Sequence, residues 1–412
     1  MNFLAELMES TKELEPPRSF WYWSGLTAIS AVVMDNVWLP RGEMKDSKEV
    51  YFKMFPNIYV MLHADSGLKK GPPVALAKDL VRRVNCTKII SGRSSIQAIL
   101  KELGTSSTEP GGKIKNKSAA FIASSEFSSS IVEDRAAMTI LTDLYDRHWN
   151  EGDWRSLLKM EIFSLKDPIV TLLVATNAAH FDDFIGLKDV NGGFIGRMFM
   201  IVERETSVLN PLINELEMVP NREKLANYLK TLSTLKGPFQ SLRGTPAGNL
   251  YHNWYMDFYE QIKKQHVKDD TGTIQRFGDS ILKVAMLLSL SRDTSLIIDE
   301  PTMHEAISQC ERLISSARQT TIGKKGKASN IHLKNLILEE LRTREPHMIS
   351  HEQLTKKYWM HYDSLTALSD IMIGFHDAGL IKVENRGSVV VYIMPDLAVE
   401  KLNQFMAGKR GD

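Results

Sequence analysis

The arrangement of apolar and polar positions divides the chain into three stretches of different character. The first begins at Asn57 to Ala64, where Asn-Ile-Tyr-Val-Met-Leu-His-Ala is a near-continuous apolar run. Such a run, with no polar face, predicts a strand buried on both sides within a parallel sheet. Runs of the same kind recur at Thr87 to Ile90, Ala119 to Ser124, Ile169 to Thr176 and Arg197 to Val202. Helical periodicity separates them at about Pro72 to Val84, Ser95 to Leu103 and Asp134 to Trp149. Alternating strand and helix predicts an α/β domain with a largely parallel sheet, over residues 56–205.

On either side the pattern changes. Residues 1–55 read as a helical lead-in, with a helix from Ser19 to about Met34, and a hairpin of short extended runs at Val37 to Pro40 and Val50 to Met54. Residues 206–321 have helical periodicity nearly throughout, notably at Asn249 to His266 and Phe277 to Ser291, which predicts an all-α lid. A short basic linker covers residues 322–330. In residues 331–396 the order is helix (Ile331 to Arg344), strand near Met348, helix opened by a capping box at Ser350 to Gln353, helix (about Asp363 to Ala378) and hairpin (Leu380 to Glu384, Ser388 to Met394), the order of a winged helix-turn-helix. Residues 397–412 form a tail.

Composition narrows the function classes. Of 412 residues, 51 are Lys or Arg and 50 are Asp or Glu, a formal charge of +1, so the chain as a whole has no basic field for nucleic acid. Any such binding has to come from local patches or from assembly into a ring. Two cysteines, Cys86 and Cys310, exclude a disulfide scaffold or thiolate metal site and suit a reducing cytoplasm. His347 and His351 have the spacing of ligands on one helix face, but no third ligand clusters with them. The longest apolar stretch, Trp21 to Met34, is interrupted by Ser24, Gly25, Thr27 and Ser30 and is too short to span a bilayer. Acidic residues at the start, with no basic region before the first apolar run, argue against a signal peptide.

The chemistry-bearing positions lie at the ends of the buried strands. After the first strand comes Ala64-Asp65-Ser66-Gly67-Leu68-Lys69-Lys70-Gly71, leading into a helix. A phosphate-binding loop needs a tight turn of converging amides, a lysine and a following helix N-terminus. The strand-to-helix context and the lysine are both present, while a solvated basic turn is the alternative. Against the pattern G-x-x-x-x-G-K-[ST] only Lys70 matches, since Ala64, Lys69 and Gly71 replace the first glycine, the second glycine and the hydroxyl residue. The strand Ala120-Phe121-Ile122-Ala123-Ser124-Ser125 ends in Glu126, a strand-end charge or a water-activating base, with Ser125 where a magnesium-holding aspartate would stand. Val170 to Thr176 ends in Asn177, an amide able to hold a water. Arg197 opens the last strand and Arg276 opens a lid helix.

Four motifs carry a resemblance: the Ser-Gly-x-Lys-Lys loop after Pro56-Asn57-Ile58-Tyr59-Val60; Glu126-Phe127-Ser128; Leu144-Tyr145-Asp146 followed by Arg155; and Gly193-Phe194 before Arg197. Together they resemble the P-loop ATPase module of phage and mobile-element primase-helicase proteins, itself similar to the AAA+ core of MCM replicative helicases. The resemblance covers about Pro17 to Thr321, and the C-terminal winged helix matches the MCM domain order. It implies a homo-oligomeric ring, hexameric in that family, with ATP and Mg2+ between subunits and single-stranded DNA in the pore. By it, Ser66, Gly67, Leu68, Lys69, Lys70 and Gly71 bind the nucleotide, Glu126 is the general base and Asn177 the sensor. Arg197 would be the finger into the neighbouring site and Arg276 the second sensor. Asp153 to Lys166 lies where such proteins insert a pore hairpin, so Lys159 and Lys166 are either DNA contacts or solvated loop charges. Arg386 is the candidate DNA contact of the wing, and the winged helix is otherwise a surface for replication proteins.

Gly71 and Ser125 together remove both usual protein ligands of the metal. Three readings follow: an ATP-dependent DNA helicase or translocase of a phage or mobile element, acting in the cytoplasm of its host cell; an ATP-binding, poorly hydrolysing loader or scaffold that encircles DNA; or a winged-helix DNA-binding regulator whose α/β domain is an oligomerisation platform.

Overall fold

The computed structural model describes residues 1–43, 50–92, 95–104, 107–108, 114–115, 118–125, 135–146, 154–158, 161–177, 193–210, 221–265, 272–321, 327–358, 367–387 and 389–400. They form two compact units, Met1–Leu313 and Ile314–Asp412.

The first unit is α/β. Strands β3 (Tyr59–His63), β4 (Lys88–Ser91), β7 (Ala119–Ser124), β10 (Ile169–Thr176) and β11 (Met198–Val202) form a five-stranded sheet in the order β11-β3-β10-β7-β4. Every pairing in it is parallel. The central strands β3 and β10 are buried along their whole length, which is why their sequences are unbroken apolar runs. Helix α3 (Gly71–Val84) follows β3, α4 (Ile96–Gly104) follows β4 and α5 (Arg135–Tyr145) follows β7. A two-stranded hairpin, β8 (Trp154–Leu158) with β9 (Glu161–Leu165), precedes β10. A smaller pair joins β5 (Ser107–Thr108) and β6 (Ile114–Lys115).

The N-terminal segment is built into this unit. Helix α2 (Arg18–Val33) is apolar around nearly its whole circumference, and a helix of that kind must be enclosed. It packs on α3 and on β10 and β3, where the Ser30 and Thr171 hydroxyls meet at 2.9 Å. Helix α1 (Phe3–Ser10) lies against it at Gly25, where a Cβ would come within 2.5 Å of Leu7 Cδ2. Strands β1 (Val37–Glu43) and β2 (Val50–Met54) pair antiparallel. The lid segment is not purely helical: besides α6 (Arg222–Ser233), α7 (Pro246–Gln265), α8 (Thr273–Arg292) and α9 (Glu300–Thr321), it contributes β12 (Gly237–Pro238), parallel to β1. No described helix is long and apolar enough to cross a membrane.

In the second unit the order is α10 (Lys327–Thr343), β13 (Met348–Ser350), α11 (His351–Tyr358), α12 (Ala367–Asp377), β14 (Lys382–Arg386) and β15 (Val389–Ile393). Its antiparallel sheet has the order β13-β15-β14. The expected capping box forms reciprocally, with Gln353 N donating to Ser350 Oγ at 3.1 Å and Ser350 N to Gln353 Oε1 at 3.2 Å. Gly379, at φ +69°, ends α12 in a Schellman turn closed by Leu380 N to Phe375 O at 2.9 Å. Pairing in the hairpin runs on to Arg386 and Val389, so Asn385 and Arg386 belong to the strand and not to the turn. His347 and His351 do not share a helix face, because β13 lies between them; His347 Nδ1 lies 3.1 Å from Leu341 O and His351 Nδ1 lies 2.7 Å from Tyr392 Oη.

Candidate nucleotide-binding site

The sheet order creates one distinctive place. The chain leaves β3 toward β4, beyond β10 and β7, whereas it leaves β10 in the opposite direction, to β11 beyond β3. In parallel sheets a reversal of this kind in the strand order is where ligands bind, at the carboxyl ends of the two strands concerned, here β3 and β10. Register aligns His63 with Thr176 and Ser124 with Val174, so Ala64, Asn177 and Ser125 all emerge at this edge.

The loop from Asp65 to Lys70 turns tightly here. Gly67 has φ +97° and Lys69, a residue with a side chain, has φ +45°. Leu68 N donates to Asp65 O at 3.4 Å. The Lys70 amine folds inward and donates to Ala64 O at 2.7 Å and Asp65 O at 2.9 Å. Burial pushes its pKa below the ordinary value, with the Asp65 charge opposing. Ser66 and Gly67 are exposed and Leu68 is partly buried.

The helix that follows is unusual as an anion site. Pro72 and Pro73 occupy the first turn of α3, so two of the four amide donors that a helix N-terminus ordinarily presents are missing there. An anion would be held by the amides of Ser66 to Gly71, the Lys70 amine and the helix dipole. A Cβ placed on Gly71 would lie 4.0 Å from Ser125 Cβ, so these two positions adjoin at this edge. Asn177 is partly buried beside them, at the end of β10. Glu126 and Lys159 lie outside the described residues, while Lys166 is exposed at the base of the β8–β9 hairpin, with its backbone N on Ser118 Oγ at 3.0 Å.

Arg197 and Arg276 stand elsewhere in the same unit. They line a cavity of about 170 Å3 near the amino end of β3, together with Asn57, Tyr145, Asp146, Asp279 and Lys283. Seven residues separate Asn57 from Ala64, or about 23 Å of strand. Arg197 is 8% exposed and its Nε donates to Asp146 Oδ2 at 2.7 Å, with Nη2 on the same oxygen and Nη1 on Gly193 O at 2.7 Å. Arg276 Nη1 donates to Gly272 O at 3.1 Å. Within one chain, neither arginine converges with Lys70.

Lys283 belongs to none of the sequence motifs. It is buried, donates to Asn57 O at 3.0 Å and to Asn57 Oδ1 at 2.6 Å, and sits 4.0 Å from the centre of the Tyr145 ring. Burial pushes its pKa down to about 7, against the opposing charges of Asp146 and Asp279. The signal was present: a single lysine within the apolar run from Ile281 to Leu288.

Magnesium, implied by the resemblance, finds few ligands. Around Gly71 the neighbouring position is the Ser125 hydroxyl, and the described residues contain no cluster of three or more His, Cys, Asp or Glu able to hold a metal. Among the described residues, the adjoining positions Gly71 and Ser125 thus bring no carboxylate to a divalent ion at this edge. No protein-family model matches the chain, and no curated protein matches it.

Proposed function

We propose that the chain binds ATP in the Ser66–Gly71 loop and acts as a ring-forming, ATP-dependent DNA helicase or translocase of the P-loop, AAA+-like class. One observation carries the nucleotide part. A lysine-bearing loop with two left-handed residues sits at the carboxyl edge of a five-stranded parallel sheet, where the strand order reverses, with its amine turned onto loop carbonyls. An amine so placed is poised to exchange two carbonyls for phosphate oxygens.

The finger and sensor roles of Arg197 and Arg276 rest on the resemblance: both line the cavity at the other end of β3 from the loop, and Arg197 is held there by Asp146 and Gly193 O, so a finger role in a neighbouring site would require it to leave these partners. The β8–β9 hairpin supports a DNA-contacting role for Lys159 and Lys166, and the order of the second unit supports a winged helix. A second reading, an ATP-holding DNA scaffold of slow turnover, is favoured by the juxtaposition of Gly71 with Ser125 and by the prolines at Pro72 and Pro73.

The test is equilibrium binding of ATP to the full chain and to Lys70→Ala, followed by turnover with and without single-stranded DNA. Loss of binding in Lys70→Ala is expected; equal affinity in both overturns the loop assignment. Turnover stimulated by DNA selects the motor, and binding without turnover selects the scaffold.

A further inference from the structure

Lys69 occupies the position where the phosphate-loop pattern places its second glycine, and its φ of +45° is the left-handed conformation for which glycine is suited. A residue with a Cβ stays in that region only where its surroundings hold it there. The Lys69 amine pairs with the carboxylate of Glu15, from the turn between α1 and α2. The Glu15 side chain is 11% exposed and that of Lys69 51% exposed, so the carboxylate is the enclosed partner and needs its cation.

Glu15 is itself fixed from the other side. Its Oε1 accepts from Asn210 N at 3.3 Å and its backbone O from Ser207 N at 3.2 Å. Asn210 Nδ2 donates to Glu13 O at 3.1 Å, and Arg18 N to Ser207 Oγ at 2.7 Å. The Glu13–Arg18 turn is thereby stitched to the segment after β11, which leaves the sheet at the same carboxyl edge: Glu203 N donates to His63 O at 3.0 Å.

We propose that Glu15 is a positioning residue for the phosphate loop: through its ion pair it holds Lys69 in the left-handed turn that presents the loop amides to a nucleotide phosphate. The role rests on the nucleotide reading of Ser66 to Gly71. Glu15 takes over, from a distance in sequence, a task that glycine performs by lacking a side chain.

The test is a double-mutant cycle on the full chain, with Glu15→Gln, Lys69→Gly and both together, reading ATP affinity and unfolding midpoint. With Lys69 present, Glu15→Gln should weaken ATP binding about fivefold or more, and Glu15→Asp should recover part of the loss. With Lys69→Gly, where the turn needs no support, the same change should alter affinity less than about twofold. Equal losses in both backgrounds, the outcome for a contact that merely anchors the N-terminal helices, overturn the proposal, as does no loss in either. Absence of ATP binding by the unmodified chain overturns the nucleotide reading itself, and this role with it.

Discussion

Gly71 and Ser125, 54 residues apart in sequence, adjoin at the carboxyl edge of the sheet, with a Cβ on Gly71 falling 4.0 Å from Ser125 Cβ. One shared point in space thus lacks both groups that would ligate a metal beside the loop. Gly71→Ser with Ser125→Asp is expected to raise magnesium-dependent ATP turnover by more than the product of the single effects, because each change supplies part of one coordination shell. Steady-state turnover of the four proteins measures this. Rapid magnesium-dependent turnover by the unmodified chain would show that the missing groups at Gly71 and Ser125 do not limit hydrolysis.

Lys283 makes stability depend on pH. Its folded value of about 7 lies below its ordinary value of 10.5, so at low pH both states are protonated and the cost of burying the charge is fully present. Between about 7 and 10.5 the unfolded chain binds more protons, and stability rises with pH, by at most about 1.4 kcal/mol per unit. Lys283→Met removes this dependence but strands two Asn57 oxygens, at a cost of about 1–3 kcal/mol each. Urea unfolding at pH 7 and pH 9 should therefore show the unmodified chain gaining on the variant as pH rises. Parallel curves for the two proteins would contradict it.

The Arg197–Asp146 pair is expected to contribute to folding as well as to any role in a neighbouring site. Arg197→Ala should destabilise the first unit by about 3 kcal/mol, since Asp146 loses its cation in a largely enclosed setting. The further change Asp146→Asn should recover much of that loss. Additive costs in the cycle would show that the two side chains act independently. If turnover occurs, mixtures of Arg197→Ala with Glu126→Gln subunits should exceed both parents, because complete sites form at some subunit boundaries.

Arg386 is held by Glu384, with Nη2 on Oε2 at 3.0 Å and Nε at 3.2 Å. Glu384→Gln should free the guanidinium and strengthen duplex DNA binding about two- to threefold, while Arg386→Ala should reduce the salt slope by about one. Neither should change sequence preference: α12 exposes Asp370, Ile373, Gly374, His376 and Asp377 and contains no Arg, Lys, Asn or Gln, the side chains that pair with base edges in two-point contacts. Titrations at several salt concentrations on two unrelated duplexes measure both quantities, and a sequence-selective loss would assign base reading to the wing.

The elements whose causes are local are legible in the linear pattern. Unbroken apolar runs mark β3 and β10 as strands enclosed on both faces, and the enclosure of α2 follows from its apolar circumference. The Ser350–Gln353 box and the Gly379 stop depend on residues within one turn of each other, so spacing alone reveals them. Tertiary structure alone decided which strand ends meet. The order β11-β3-β10-β7-β4 follows from how crossovers pack, and only that order makes neighbours of Gly71 and Ser125. The same holds for the charges. Periodicity marks Lys283 as an interruption and Arg197 as a strand opening, but their partners Asn57 and Asp146 come from other elements. Glu15 gives no local sign of its reach to Lys69, because an ion pair depends on distance in space, which the linear pattern does not record.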